Sequence, residues 1–182
     1  MKKFEEKTIA SDLKYEGRVI TLQVDKVMLP NGKTSNREIV KHPGAVAVMA
    51  ITEDKKIILV EQYRKALERS IIEIPAGKIE PGELPEVTAR RELEEETGYT
   101  TKSLQYIQTF ATSPGFADEI IHLYFAENIE KMTEKALLDE DEFVELLYVS
   151  LKDMKTLIED SKIYDAKTAF AYLWLKDYLK EA

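Results

Sequence analysis

Two short apolar runs constrain the fold of this chain more than any other feature. Residues 45–51 read AVAVMAI, and after a charged turn the chain continues with IILVEQYR at 57–64. A strand that is half exposed alternates apolar with polar side chains, whereas runs of this length and apolarity are typical of strands buried on both faces. The sequence therefore predicts a sheet that is covered on both sides.

Further strands are predicted around these two runs. Residues 18–30 are rich in Val, Ile and Leu and lead into PNGK at 30–33, a strong turn sequence, so we expect an N-terminal hairpin that returns at 37–40. Shorter apolar segments extend the predicted sheet to strands at 71–75, 103–111, 119–127 and 143–149.

Two helices are expected. The loop AGKIEPGE is followed by Pro85, which suits a first helical turn, and Gly98 is placed to end that helix after about 13 residues. Asp165 is placed to cap a second helix. Its apolar positions recur at helical spacing, which favours core packing over a cofactor contact: Ala166, Ala169, Phe170, Leu173, Trp174 and Tyr178.

The only plausible domain boundary is HPG at 42–44. Residues 1–42 are expected to form a small N-terminal β subdomain, and residues 43–182 a main unit of mixed sheet flanked by helices. The predicted fold class is mixed α/β.

Composition narrows the function. The chain has no cysteine and two histidines, so a bound metal is expected among oxygen ligands. A net charge of −8 argues against nucleic acid or an anionic membrane as partner. The charged start and the lack of a long apolar run argue against a signal peptide and a membrane span. We therefore expect a cytoplasmic location.

A helix dense in glutamates carries the chemistry. At 100° per residue, Glu92, Glu95 and Glu96 fall within an arc of about 100°, whereas Glu94 points away. Like charges at this spacing cost a few tenths of a kcal/mol unless a cation joins them, and Mg²⁺ takes such oxygen ligands. Considered alone, the acidic run also fits a solvated helix face.

The spacing of Gly77, Glu83, Arg91, Glu92, Glu95, Glu96 and Gly98 resembles the complete Nudix box. Tyr99 departs from it, because the family usually has an aliphatic residue there. The resemblance implies an αβα sandwich in which Glu92, Glu96 and the carbonyl of Ala76 bind metal. It also implies that Glu95 assists and that Arg91 pairs with and orients carboxylates. For Glu83 it implies either holding the loop or a place in the outer shell around the metal. We interpret Gly77 and Gly98 as glycines required by backbone conformation.

Other segments resemble the ADP-ribose pyrophosphatase subgroup: EQYR at 61–64, EIPAGKIEPGE at 73–83, DEDEF at 139–143, and Pro114 placed 16 residues after Gly98. Pro114 is also compatible with a simple turn. This resemblance implies hydrolysis of ADP-ribose to AMP and ribose 5-phosphate with Mg²⁺, two or more ions, Mn²⁺ being an alternative. Two hypotheses compete with it: a Nudix hydrolase for another ADP-sugar, a GDP-sugar or a nucleoside triphosphate, and a catalytically inactive nucleotide sensor.

The same resemblance implies substrate contacts. Arg37 and Arg64 suit bidentate recognition of phosphate, although either is also compatible with a surface ion pair. The remaining implied contacts are Arg18, Val19, Glu38, Lys78, Ser113, Gly115 and Glu119.

The acidic loop supplies the last implied residues. Glu140 is expected as the catalytic base and Glu142 as a further metal ligand, with Asp139 and Asp141 as near alternatives. A loop can bring a base to the attacking water after substrate has bound. The resemblance also implies a homodimer whose two chains share each active site through their N-terminal strands. Considered alone, an apolar β subdomain is equally compatible with packing against its own chain.

Overall fold

A computed structural model describes residues 3–133 and 143–181. Twelve strands, three α-helices and one short 3-10 helix (Lys65–Leu67) follow one another along these residues. The strands are β1 (Lys7–Glu16), β2 (Thr21–Met28), β3 (Thr34–Lys41), β4 (Ala45–Ile51), β5 (Ile57–Arg64), β6 (Arg69–Glu73), β7 (Ala76–Lys78), β8 (Tyr99–Thr100), β9 (Gln105–Ala111), β10 (Ile120–Ala126), β11 (Glu130–Lys131) and β12 (Val144–Val149). The helices are α1 (Pro85–Thr97), α2 (Leu151–Glu159) and α3 (Ala166–Glu181).

The chain divides into two compact units. One consists of residues 1–44 and 110–121, and the other of residues 45–109 and 122–182. Residues 110–121 therefore group with the N-terminal segment, which a division of the sequence at one point does not describe. The expected domains 1–42 and 43–182 remain a prediction.

The first unit contains the antiparallel sheet β1-β2-β3. The predicted hairpin is confirmed, because β2 and β3 pair across a turn in which Leu29 N donates to Lys33 O at 2.8 Å and Gly32 has φ 81°. Strand β1 was not predicted. All ten of its residues are exposed, so none of them belongs to a buried core.

The second unit is built on the predicted apolar strands. The main sheet has the order β12-β5-β4-β10-β9, with β6 paired to β5 and β7 paired to β4. Six of the seven residues of β4 are buried, which confirms the expectation of a sheet covered on both faces.

Helices cover both faces of this sheet. Val46, Val48 and Ala50 pack with Ala89 and Leu93 of α1. On the opposite side, the Phe125 ring lies 4.9 Å from the Trp174 ring and 4.8 Å from the Tyr178 ring of α3. The αβα sandwich is thus confirmed, and burial of a side chain such as Leu93 contributes about 1.5–3 kcal/mol to holding α1 in place.

The predicted apolar face of α3 was wrong in part. Trp174 and Tyr178 pack in the core as expected, but Leu173 is 59% exposed and Ala166 is exposed. The buried residues of α3 lie on an adjacent side of the helix, and two of them are polar. They are Lys167, Thr168, Ala171 and Leu175. Asp165 caps the helix as predicted, accepting from Thr168 N at 3.1 Å.

Helix α2 was missed. It begins with a capping box in which Ser150 Oγ accepts from Asp153 N and the Asp153 carboxylate accepts from Ser150 N. The sequence pattern Ser-x-x-Asp was the available signal. No described helix has the length and hydropathy that crossing a membrane requires.

Candidate active site

Helix α1 presents the glutamates as the sequence predicted. Pro85 occupies its first turn, and Gly98 ends it with φ 72° and with its N–H donating to Glu94 O. Glu92 and Glu96 are buried, Glu95 is half-buried, and Glu94 turns away to accept from Thr100 Oγ1 at 2.5 Å. Tyr99, the departure from the family pattern, packs edge-on against Tyr148 with hydroxyls 3.1 Å apart, as expected for a packing role.

Arg91 is the hub of the carboxylate group. Its Nη1 donates to Glu92 Oε1 at 2.8 Å and to Glu95 Oε2 at 2.9 Å. Its Nε and Nη2 donate to the two carboxylate oxygens of Glu83 at 3.2 and 3.1 Å, and Nη2 also reaches Lys78 O at 3.3 Å. One guanidinium therefore ties the loop before α1, the strand β7 and two glutamates of α1 to one another.

These contacts set the charge state of the hub. Hydrogen bonds from Arg91 hold the pKa of Glu83 below its ordinary value despite the burial that opposes the shift, and Thr88 Oγ1 adds a donor at 2.8 Å. The hydrogen bond with Glu83 is the largest cause of the raised pKa of Arg91, and the contacts with Glu92 and Glu95 raise it further. Both groups are thus charged throughout the neutral range.

Glu92 lies against the backbone of β7. A Cβ atom at Gly77 would stand 2.0 Å from Glu92 Cδ and Oε1. The expectation that Gly77 serves a special backbone conformation was wrong, since its φ is not positive, whereas that of Gly98 is. Gly77 is required because any side chain would occupy the volume of the Glu92 carboxylate.

Glu96 is fixed by a different partner. Its Oε2 accepts from Ala76 N at 2.9 Å, and the residue is only 3% exposed. The expected convergence of Glu92, Glu95 and Glu96 on a metal stays a prediction. Among residues 3–133 and 143–181, no three acidic or histidine side chains lie in one group close enough to share a metal ion as they stand. Arg91 draws Glu92 and Glu95 together, while Glu96 is drawn to the end of β7.

The residues present nevertheless fit a divalent cation. A single guanidinium meets the three carboxylates of Glu83, Glu92 and Glu95, so it does not neutralise them alone. Two further features suit a hard cation: the donors are all oxygens, and Glu92 and Glu96 are 8% and 3% exposed. These two side chains and the backbone of Ala76 are the residues that would hold it. Glu142, expected as a further ligand, and Glu140, expected as the base, lie outside the described residues.

The predicted substrate contacts of the second unit are Arg64 and Lys78, and they differ in their surroundings. Arg64 Nε donates to Glu73 Oε2 at 2.6 Å, and its side chain is 40% exposed. Lys78 is exposed on β7, beside the hub. Glu73 was not singled out from the sequence, although a charged residue in the apolar segment IIEIP was a usable signal.

The remaining predicted contacts belong to the first unit. Arg37, on β3, is fully engaged: Nε and Nη2 donate to Glu6 at 2.8 and 2.6 Å, and Nη1 donates to Ser35 and Asn36. In the segment after β9, Glu119 accepts from Thr112 Oγ1 at 2.5 Å. Glu38 is exposed within β3. The others are exposed or half-buried in the segments between strands: Arg18, Val19, Ser113 and Gly115.

Comparisons with known proteins identify the family of this chain. The family model described as NUDIX domain matches residues 41–169. The chain therefore belongs to the Nudix family of hydrolases. A solved crystal structure of an ADP compounds hydrolase superposes with a TM-score of 0.84 over 97% of this chain and 95% of that one. At 22% identity it speaks for the fold alone.

Two curated bacterial proteins match nearly the whole chain. The ADP-ribose pyrophosphatase of Bacillus subtilis (strain 168) is 61% identical, covering 99% of this chain and 98% of its own. The methanol dehydrogenase activator of Bacillus methanolicus is 60% identical, covering 98% of each. An ADP-ribose pyrophosphatase of Mycobacterium tuberculosis (strain ATCC 25618 / H37Rv) is 38% identical over 69% of this chain and 61% of its own.

Proposed function

We propose that this protein hydrolyses the pyrophosphate bond of ADP-ribose to AMP and ribose 5-phosphate. The observation that carries the proposal is the Arg91 hub, which holds Glu92 and Glu95 next to the strand that binds Glu96. The substrate is suggested by the names of the Bacillus subtilis and Mycobacterium tuberculosis relatives. We place the reaction in the cytoplasm.

The proposed cofactor is Mg²⁺, two or more ions per site, with Mn²⁺ as an alternative. Bound divalent ions would neutralise the phosphate oxygens and polarise the phosphorus that is attacked. Glu92 and Glu96, with the carbonyl of Ala76 and with Glu142, are the proposed ligands.

The other site residues have separate proposed tasks. Arg91 keeps the carboxylates of Glu92 and Glu95 in place through its Nη1. Glu140 is the proposed base, whose carboxylate takes the proton of the attacking water. The cationic head of Arg64 contacts the diphosphate. Lys78 is a further proposed substrate contact, and the contacts named in the first unit stay proposals in the same way.

A substrate panel tests the proposal. Purified protein with Mg²⁺ is incubated with ADP-ribose, ADP-glucose, GDP-mannose, FAD and nucleoside triphosphates, and kcat/KM is ranked. We expect ADP-ribose to rank first, with AMP and ribose 5-phosphate as products. A higher kcat/KM for another nucleotide would replace ADP-ribose as the substrate, and binding without turnover of any compound would favour a nucleotide sensor.

A second candidate function follows from the other close relative. The Bacillus methanolicus protein, whose name makes it an activator of methanol dehydrogenase, is almost as similar as the Bacillus subtilis enzyme. The second proposal is that this protein also activates a methanol dehydrogenase. Assaying methanol oxidation by a purified methanol dehydrogenase with and without this protein tests it, and an unchanged rate would reject it.

We also propose a homodimer whose interface includes residues 1–42 and whose active sites draw on both chains. The support is that β1 and its neighbours expose large apolar side chains, which in water favours a partner: Phe4 77%, Ile9 49%, Leu13 56%, Tyr15 57% and Val19 45% exposed. Light scattering at micromolar concentrations is expected to give twice the chain mass, and a monomeric mass would refute the shared site.

A further inference from the structure

A chain of four ion-paired side chains connects the end of β5 to the start of α3. Glu73, at the end of β6, is 3% exposed and is bound on both sides. Its Oε2 accepts from Arg64 Nε at 2.6 Å, and its Oε1 accepts from Lys167 Nζ at 2.5 Å. Lys167 also donates to Asp165 Oδ1 at 2.9 Å. Two carboxylates and two cations thus alternate along this chain.

Arg64, at the exposed end of this chain of side chains, uses part of its hydrogen-bonding capacity among the described residues. Arg64 is bound through Nε alone, and its terminal nitrogens Nη1 and Nη2 make no hydrogen bond to any residue that the structure describes. Arg37, the other arginine expected to bind phosphate, has all three of its nitrogens engaged. Anchoring a guanidinium at Nε fixes its plane and leaves the two terminal nitrogens for a second, bidentate anion.

The burial of Glu73 is costly for stability alone. Removing a carboxylate from water is expensive, and buried ion pairs are often no more stabilising than apolar residues of the same size. Neighbouring residues of the same strand, Ile71 and Ile72, are apolar and buried. A charge at position 73 therefore has a better explanation in the geometry that it imposes on Arg64.

We infer that Glu73 is a positioning residue for Arg64, and that Lys167 and Asp165 hold Glu73 for this task. The inference rests on the proposed function, in which Arg64 contacts the diphosphate of the substrate. Glu73 does not touch substrate. It lowers the cost of binding by holding the arginine in one orientation before the diphosphate arrives.

Glu73→Gln tests this role, because glutamine keeps the shape of the side chain and removes its charge. We expect KM for ADP-ribose to rise about tenfold while kcat changes less than about twofold. The dissociation constant of ADP-ribose, measured by calorimetry without metal, is expected to rise by the same factor. Glu68→Gln is the matched control, because Glu68 forms an exposed ion pair with Lys65. It is expected to leave both constants unchanged.

The double variant separates positioning from a structural role. In an Arg64→Gln background, Glu73→Gln is expected to have no further effect on binding, because the residue that it positions is gone. An equal effect of Glu73→Gln with and without Arg64 would overturn the inference. So would unchanged binding by the single variant.

A second variant covers the case in which Glu73→Gln does not fold. Arg64→Lys keeps a positive partner for the buried carboxylate but has no fork for the anion. Metal-free binding of ADP-ribose is expected to weaken about tenfold, and unchanged binding would overturn the inference. If wild-type protein neither binds nor hydrolyses ADP-ribose, the proposed function fails and the inference with it. If wild-type protein binds and hydrolyses ADP-ribose and the variants bind it equally well, the inference fails and the proposed function stands.

Discussion

The N–H of Ala76 donates to Oε2 of Glu96 at 2.9 Å, joining residues that stand 20 positions apart in the chain. This bond ties the start of β7 to the last turn of α1. It also brings together two of the groups proposed to bind metal. The geometry of the proposed centre therefore depends on how one short strand meets one helix.

Replacing Glu96 by Gln should abolish most turnover without unfolding the protein. The amide keeps an oxygen for the Ala76 N–H, but it removes the charge that a divalent cation needs, so we expect kcat to fall about 100-fold or more. Glu94→Gln is the control on the same helix, since Glu94 turns away to Thr100. Kinetics against Mg²⁺ and circular dichroism measure both effects. Near wild-type turnover at saturating Mg²⁺ would remove Glu96 from the proposed ligands.

Gly77→Ala should displace Glu92, because the added methyl would stand 2.0 Å from its carboxylate. We expect at least about a tenfold loss of kcat. Gly32→Ala is the control: its φ of 81° is strained for alanine, at about 1 kcal/mol, but nothing lies within 4 Å of the added atom. That variant should lose stability and keep its activity. Equal activity of both variants would contradict the close packing of Glu92 on Gly77.

Arg91→Lys should be far more damaging than Arg90→Lys. A lysine ammonium cannot reproduce the planar set of donors with which Arg91 meets Glu83, Glu92 and Glu95, so we expect kcat to fall about tenfold to 100-fold. Among the residues that the structure describes, the ion pair of Arg90 is a 4.0 Å contact with Glu86, and its replacement should be neutral. Steady-state kinetics of both variants decides the point, and similar losses would show that the hub has no special role.

The contact between Glu83 and Arg91 should stabilise the fold in a way that acid removes. The folded pKa of Glu83 lies below the ordinary value of 4.5, so its contribution is complete above pH 4.5 and is lost as the pH falls through the lower, folded pKa. The free energy of unfolding of wild type should exceed that of Glu83→Gln at neutral pH, and the difference should shrink below pH 4.5. Urea unfolding across this range measures it. A difference independent of pH would mean that the charge of Glu83 contributes nothing.

Amide variants of the four acidic residues at 139–142 test their proposed roles. Glu140→Gln should lower kcat strongly with little change in KM, as expected for a base. Glu142→Gln should in addition change the dependence on metal concentration. Asp139→Asn and Asp141→Asn are the comparison variants in the same segment of sequence. A Glu140 variant with unchanged kcat would exclude this residue as the base.

Much of the fold follows from local sequence. The apolar runs at 45–51 and 57–64 predicted the buried strands, and Pro85 and Gly98 predicted both ends of α1, because these signals depend only on near neighbours. The glutamate spacing identified the helix that carries the site for the same reason. The exposed strand β1 was missed because none of its residues is buried, and its sequence is therefore not dominated by the apolar residues that mark a core strand.

Contacts between distant segments were decided only by the tertiary structure. The glycine at 77 was visible in the sequence, but its reason, the carboxylate of Glu92 lying on its backbone, arises from the packing of α1 on β7. Arg64 and Arg37 looked alike as candidate phosphate ligands. Folding gave Arg64 one buried anchor at Glu73 and gave Arg37 a full set of partners. Residue type determines which bonds a side chain can form, whereas the partners within reach are set by segments that the folded chain brings together.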